Sequence, residues 1–383
     1  MATKWTDQLL DSMRQETDPV ADKVVAAMIA SHGLETYNAM LRELVNNRDE
    51  IPSSLPKIVH EYFEKTQVLP DWANREKIAC GEDVFVLHGP EMVAMLLFAA
   101  LPSSYGMASG ANVLAITAQL TGHVYRRIFR TAQFIADIMQ SGGLGPNGRG
   151  IRSTQKVRLI HASIRYYIKH KAEWKSQWNP EWGEPVNQED LASTLLDFFV
   201  GILKGVRKMG IRLTPEEVEA YHHCWKVVGY MMGIRPELLT ETPREAFELA
   251  EIIAARQMRE SKAGEELTRD LIKFAQGPMP PLLRGLPATA IRYFSGEKVA
   301  RVIKTGPYNW TLSFLYLQIF LLRSLDTFRR DHPRLQKYIR FLTWNIMDKI
   351  LLHEEGKAFT FEIPEELRAA WRLPARRRKI PAA

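Results

Sequence analysis

Residues 157–165 read VRLIHASIR. A helical period of 3.6 residues puts Arg158, His161 and Arg165 on one face, because they are spaced by three and then by four. Around them stand Leu159, Ile160, Ala162 and Ile164, as expected of a helix set into an apolar interior. Burying two guanidinium groups in such surroundings is costly unless something anionic meets them. The stretch therefore predicts a buried helix and asks what partners its arginines.

Working outward, helix signals dominate. RRIFRTAQFIADIM, residues 126–139, places Arg127, Arg130 and Thr131 at offsets of three and four on one helical face. Asp18 and Pro19 form an N-cap and first-turn pair that opens a helix running through Val25 and Met28 to a stop near Gly33. Thr214, Pro215 and Glu217 make a capping box, and Asn187 is placed to cap the helix that begins QEDLASTLLDFF. Period-2 alternation is confined to short candidates at 84–87 and 358–363. The fold class that follows is all-α.

The glycine- and proline-punctuated stretches at 142–150 and 277–287 read as loops, since helical patterns resume on both sides of each. No fixed repeat period is present, which excludes a solenoid. We expect one helical domain over residues 1–371, followed by a basic, disordered tail at 372–383.

The chain has 383 residues, 46% of them hydrophobic, and 51 basic against 44 acidic side chains, a net charge of +7. Arg372, Arg376, Arg377, Arg378 and Lys379 account for five of those seven charges, so the body is nearly balanced and no specific nucleic-acid partner is implied. Cys80 and Cys224 are too few for a disulfide framework. The N-terminus carries no apolar run of the secretory kind, and cytoplasmic residence is the expectation. Residues 92–122 and 308–322 are apolar, but the first is broken by Pro102, Gly106 and Gly110 and the second is short of a span. Both are predicted to be buried helices, with peripheral membrane contact as the alternative for the second.

A cofactor with a metal and two carboxylates would explain the two polar helical faces together. Haem is such a group: His161 would ligate iron, arginines would neutralise the propionates, and apolar side chains would enclose the ring. The plainer alternative is a packed histidine among ordinary ion pairs. Competing metal sites are poorly supported, since His222 and His223 are adjacent and point to different faces, and His170 stands between Lys169 and Lys171 in a solvated setting. Neither HExxH nor GxSxG occurs, so zinc-peptidase and serine-hydrolase chemistry are not indicated.

In order along residues 61–234, the blocks EYFEKTQVLPDW, ALPSSYG, RRIFRTAQFI, GGLGPNGRG, KVRLIHASIRYY, GEPVNQEDLASTLLDFF and EEVEAYHHCWKVVGYMMGI resemble a bacterial and fungal family. It includes the latex clearing proteins and the prenyl-chain-cleaving oxygenases of mycophenolic acid synthesis. The resemblance implies a globin-like helical core holding haem b and activating dioxygen against an apolar, often isoprenoid, substrate. It places the proximal ligand at His161, propionate partners at Arg158 and Arg165, and a second haem-facing set at Arg127, Arg130 and Thr131.

Two departures bear on mechanism. The latex clearing proteins carry a lysine where this chain has Arg130, whose guanidinium offers no lone pair. They also carry a glutamate proposed as a base, whereas no Asp or Glu occurs here from Met92 to Ala136. Rubber cleavage by the same route is therefore not expected. Asn187 and Gln188 are assigned to capping and local hydrogen bonding, Trp225 to the core, and Tyr105 with Gly106 to Gly110 to a channel lining. The expected function is a haem b oxygenase or oxidase acting on an apolar small molecule, the alternatives being a haem sensor or carrier and a cofactor-free helical interaction protein.

Overall fold

The computed structural model describes residues 3–43, 47–53, 55–121, 124–277 and 279–330. Among these the regular structure is helical, and the one β-type pairing is an isolated bridge between Met107 and Met258. A short helix α1 (Asp7–Met13) is capped by the Thr6 hydroxyl. Helix α2 (Pro19–Glu43) begins where the Asp18–Pro19 pair requires, but it does not stop at Gly33. A single glycine costs a helix only about 1 kcal/mol, and the helix formers Leu34, Glu35 and Ala39 carry it onward.

After α3 (Lys57–Thr66) comes the central helix α4 (Arg75–Met95). Residues 84–87, a strand candidate by alternation, lie inside it; a four-residue apolar run cannot by itself separate the two periods. The other strand candidate, 358–363, and the basic tail lie outside the described residues. Pro90 interrupts the ladder and the backbone kinks at His88. A π-helical turn (Leu96–Ala100) leads into α5 (Leu101–Gly106), and α6 (Ala108–Thr121) follows Met107, so 92–122 is divided as its prolines and glycines suggest.

Helices α7 (Val124–Met139) and α8 (Gly150–His170) carry the opening stretches. The short α9 (Ala172–Lys175) leads to α10 (Gln188–Leu196), a second π-helical turn (Asp197–Gly201) and α11 (Ile202–Lys208). Helix α12 (Pro215–Met231) has the full Thr214–Glu217 capping box. The chain then forms α13 (Pro243–Gln257), α14 (Lys262–Gln276), α15 (Leu286–Ser295), α16 (Glu297–Val302) and α17 (Thr311–Arg330).

Helix α4 packs most closely on α12. Gly81 permits the approach: a Cβ there would stand 2.6 Å from Cys224 Sγ and 2.7 Å from the Ala220 carbonyl oxygen. One apolar core runs from Trp5 to Leu315, and a smaller one joins α2 and α3 to Leu159 and Ala162 of α8. The helical run Arg75–Gly106 is long and apolar enough to cross a membrane by length and composition, yet 67% of its apolar window is buried inside the fold, as a core helix requires.

The prediction for 308–322 is corrected. Thr311 and Leu315 of α17 are buried, but Tyr316, Leu317, Phe320 and Leu321 are exposed; among the described residues the main packing partner of α17 is α15.

Candidate active site

The glycine-rich turn between α7 and α8 is tied down from two sides. The Gly142 amide donates to Glu82 Oε2 at 2.8 Å, and Asn47 Nδ2 donates to the carbonyls of Gly143 and Gly145 at 3.1 and 2.8 Å. The two helices on either side of this turn pack on one another. At about 1.5 Å of rise per residue, Thr131 and Arg127 stand roughly 12 and 18 Å from the turn, and His161 roughly 16 Å. Measured along each helix, the two candidate groups thus lie at similar distances from the turn.

Burial alternates on both helices in the same way. On α7, Ile128, Ala132, Ile135 and Met139 are buried, while Arg127, Arg130, Thr131 and Phe134 are partly accessible. On α8, Val157, Ile160, His161 and Ile164 form the partly accessible stripe. Each stripe follows the i, i+3, i+4, i+7 spacing of a single helical face.

His161 retains some accessible surface, yet desolvation pushes its pKa down to about 3, Arg165 reinforcing the shift and Asp18 opposing it. The downward shift keeps the imidazole neutral at ordinary pH. Its Nδ1 is buried without a hydrogen-bond partner.

The two flanking arginines have protein partners, which corrects the expectation that a cofactor must supply their counter-charge. Arg158 donates from Nε and Nη2 to Asp18 at 2.7 and 2.8 Å and from Nη1 to the Met231 carbonyl at 3.1 Å. Each of its three nitrogens thus has a protein partner, and the counter-charge is supplied by Asp18. Gly233, at φ +76°, makes room for it, since a Cβ there would come within 2.5 Å of Nη2. Arg165 donates from Nε to Asp22 at 2.7 Å and from Nη1 to the Val186 carbonyl at 3.2 Å, while its Nη2 is buried with no partner.

Arg127 Nη2 donates to Tyr105 Oη at 3.3 Å, and its guanidinium lies 5.8 Å from that ring's centroid. Thr131 Oγ1 returns a hydrogen bond to the Arg127 carbonyl at 2.9 Å. Tyr105 is fully buried beside these groups rather than lining a channel, and Gly106 packs under Met258. A Cβ on Gly110, by contrast, would meet open space.

Asn187 is the N-cap of α10, accepting from the Asp190 amide at 2.9 Å. Gln188 donates to the Thr17 and Gly233 carbonyls and accepts from the Arg235 amide. Trp225 is buried against Phe198. His222 bonds Thr240 Oγ1 at 2.8 Å, His223 accepts from the Asn74 amide at 2.9 Å, and His170 is exposed and stacked on Tyr166. Each of these three histidines thus has a local structural partner.

Two features escaped the sequence reading. Asp18 was credited only as a cap, although Asp18 and Asp22 stand four apart on one face of α2, the spacing that would have revealed an acidic ladder. Asp197 is not legible as the missing acid from sequence, because it lies far downstream of α7 and only the fold brings it beside Ser104. In the fold it accepts from Ser104 Oγ at 2.7 Å, next in the chain to Tyr105, and burial pushes its pKa up to about 7. It opens a π-helical turn, a form of helix that recurs at functional sites.

The residues of α7 and α8 fit a haem: a neutral imidazole with an orphaned nitrogen, an unsatisfied guanidinium donor on Arg165, and apolar half-buried neighbours. A cavity of about 380 Å³ elsewhere in the fold is lined by Asp11, Arg14, Arg256 and Arg259 among others, and its polar walls suit an apolar ligand poorly.

The sequence model of the family described as "ER-bound oxygenase mpaB/B'/Rubber oxygenase, catalytic domain" matches residues 87–320, reaching further toward the C-terminus than the blocks at 61–234. A rubber oxygenase of Streptomyces sp. (strain K30) is 26% identical over 294 residues, which is 75% of this chain and 70% of that protein. The structure of latex clearing protein LCP in the closed state superposes with a TM-score of 0.76 at 22% identity, covering 88% of this chain and 91% of the other, and establishes the shared all-α fold. With the family model spanning more than half of its length, this chain belongs to the mpaB and rubber oxygenase family and is an oxygenase.

Proposed function

We propose that the protein is a haem b-dependent oxygenase whose substrate is an apolar, isoprenoid-like or lipid-like small molecule. The observation that carries this reading is His161: a neutral, desolvated imidazole with an unpartnered buried nitrogen, on the helix that packs against the one bearing Arg127 and Thr131. His161 would hold the iron, and Arg165 Nη2 is the donor left for a propionate. When bound, haem would supply the activation of dioxygen that side chains alone cannot.

The chain's own residues do the rest. Desolvation keeps His161 unprotonated throughout the physiological range, so its lone pair is always available. Phe134, Val157 and Ile164 offer an apolar, partly accessible surface that would hold an apolar substrate and exclude water. Tyr105 fixes Arg127, and the Thr131 hydroxyl is held to the helix backbone, which limits reorganisation. Arg130 contributes a permanent positive charge and no lone pair. Burial raises the pKa of Asp197 to about 7, so its carboxyl group, which Ser104 contacts, can hold a proton where an exposed aspartate would not. Arg158 acts as a clamp that fastens α8 to α2.

Oxygen uptake by the haem-loaded protein, measured against short polyisoprenes, prenylated phenols and unsaturated fatty acids, tests the reading. Uptake with at least one class, with ¹⁸O from dioxygen found in the product, is the expected result. Haem binding with no uptake across the panel would favour the carrier or sensor alternative.

A further inference from the structure

Helix α17 is apolar on both sides. Thr311 and Leu315 are buried on the α15 side, whereas Tyr316, Leu317, Phe320 and Leu321 are 52–65% exposed. Trp310 and Tyr308, just ahead of the helix, are also exposed, and so is Leu282. These groups are contiguous: Asn309 Nδ2 donates to the Gly285 carbonyl at 3.3 Å, joining the 281–285 turn to the 308–310 segment, and Tyr316 packs edge-on against Tyr293. A helix that is hydrophobic all round belongs in apolar surroundings, and a contiguous exposed apolar patch marks a contact surface.

The surrounding charge indicates the partner. Residues 280–323 hold Arg284, Arg292, Lys298, Arg301, Lys304 and Arg323 against the single acid Glu297, a local charge of six minus one, +5. Lys304 pairs with Glu260 and Glu265 and Arg301 with Glu297, while Arg284 and Lys298 are exposed at the surface. Arg292 sits 5.4 Å from the Tyr308 ring. Exposed Trp and Tyr with cations alongside match the bilayer interface, where amphipathic rings settle at headgroup level and basic groups meet lipid phosphates. With Glu260 and Glu265 counted against Lys304, six basic and three acidic side chains leave +3, and a two-fold dimer through this face would oppose like charges, which disfavours a second copy.

We propose that the α17 face docks on anionic lipid bilayers, with Trp310, Tyr316, Leu317 and Leu321 entering the headgroup boundary and Arg284 and Lys298 lying against phosphates. This surface is independent of the reading of the His161 site.

Co-sedimentation of the full chain with phosphatidylcholine vesicles, with and without phosphatidylglycerol, tests it. The wild type should bind the anionic vesicles and release as salt rises. Leu317→Ser with Leu321→Ser should lower the partition coefficient by about tenfold or more, and Arg284→Glu with Lys298→Glu should abolish the preference for phosphatidylglycerol. Helicity by circular dichroism confirms that each variant is folded; should the leucine pair misfold, the charge pair, remote from the core, carries the same test. Absence of wild-type binding, binding unchanged in both folded variants, or a dimer in light scattering that the leucine variant dissolves would overturn the proposal.

Discussion

Arg158 of α8 and Asp18 at the head of α2 form a buried bidentate pair, 2.7 Å from Nε to Oδ2 and 2.8 Å from Nη2 to Oδ1. Such a pair gains little over apolar side chains of like size, but breaking it strands a charge. Asp18→Ala should therefore cost about 3–5 kcal/mol in urea unfolding. Asp22→Ala should cost less, about 1 kcal/mol, because the Asp22 side chain is 30% exposed and water can replace it. Asp18→Leu combined with Arg158→Met should recover most of the first loss. Equal losses for Asp18→Ala and Asp22→Ala would show that the first pair is not the clamp.

The arginine spacing in VRLIHASIR was legible because helical geometry alone puts three side chains on one face. Their partner was not, since Asp18 lies 140 residues earlier and only the packing of α2 on α8 brings it close. Gly81 and Gly233 were silent for the same reason: each meets a side chain distant in sequence. Capping motifs such as Asn187 and Thr214 were readable because they close within four residues. The exposed side of α17 was misread because its composition matches a core helix, and exposure depends on which neighbours cover it.

Two titrating groups should oppose each other in the pH dependence of stability. The folded state keeps His161 neutral down to about pH 3, whereas an unfolded histidine binds a proton near its ordinary 6.5, so stability falls as pH drops through that interval. Asp197 is the reverse: its folded pKa of about 7 lies above the ordinary 3.8, so its contribution is full below 3.8 and is lost as pH rises through 7. Asp197→Asn, which keeps an acceptor for Ser104, should raise stability at pH 8 by on the order of 1–3 kcal/mol and flatten the alkaline limb. His161→Phe should flatten the acid limb. Denaturant midpoints of the three proteins across pH 4–9 decide the matter, and superimposable curves would contradict both assignments.

Arg130 stands where the latex clearing proteins have lysine, and its guanidinium cannot serve as an iron ligand at any accessible pH. Arg130→Lys in the haem-loaded protein should produce an absorption spectrum that changes with rising pH as the amine deprotonates, together with slower imidazole binding at high pH. The wild type should show neither effect. A wild-type spectrum that already carries two strong-field nitrogen ligands would point instead to a second histidine, such as His123, which lies outside the described residues.

The central claim is that His161 holds a haem. The most direct measurement is the haem content and Soret absorption of the protein produced with haem supplied, for the wild type, His161→Ala and Arg127→Ala. The account requires about one non-covalent haem b per chain in the wild type, as expected where no CxxCH is present. Binding should be lost, or the Soret band shifted, in His161→Ala, and haem should be retained in Arg127→Ala. A haem-free wild type, or a His161→Ala variant with full haem content and an unchanged Soret band, would contradict it.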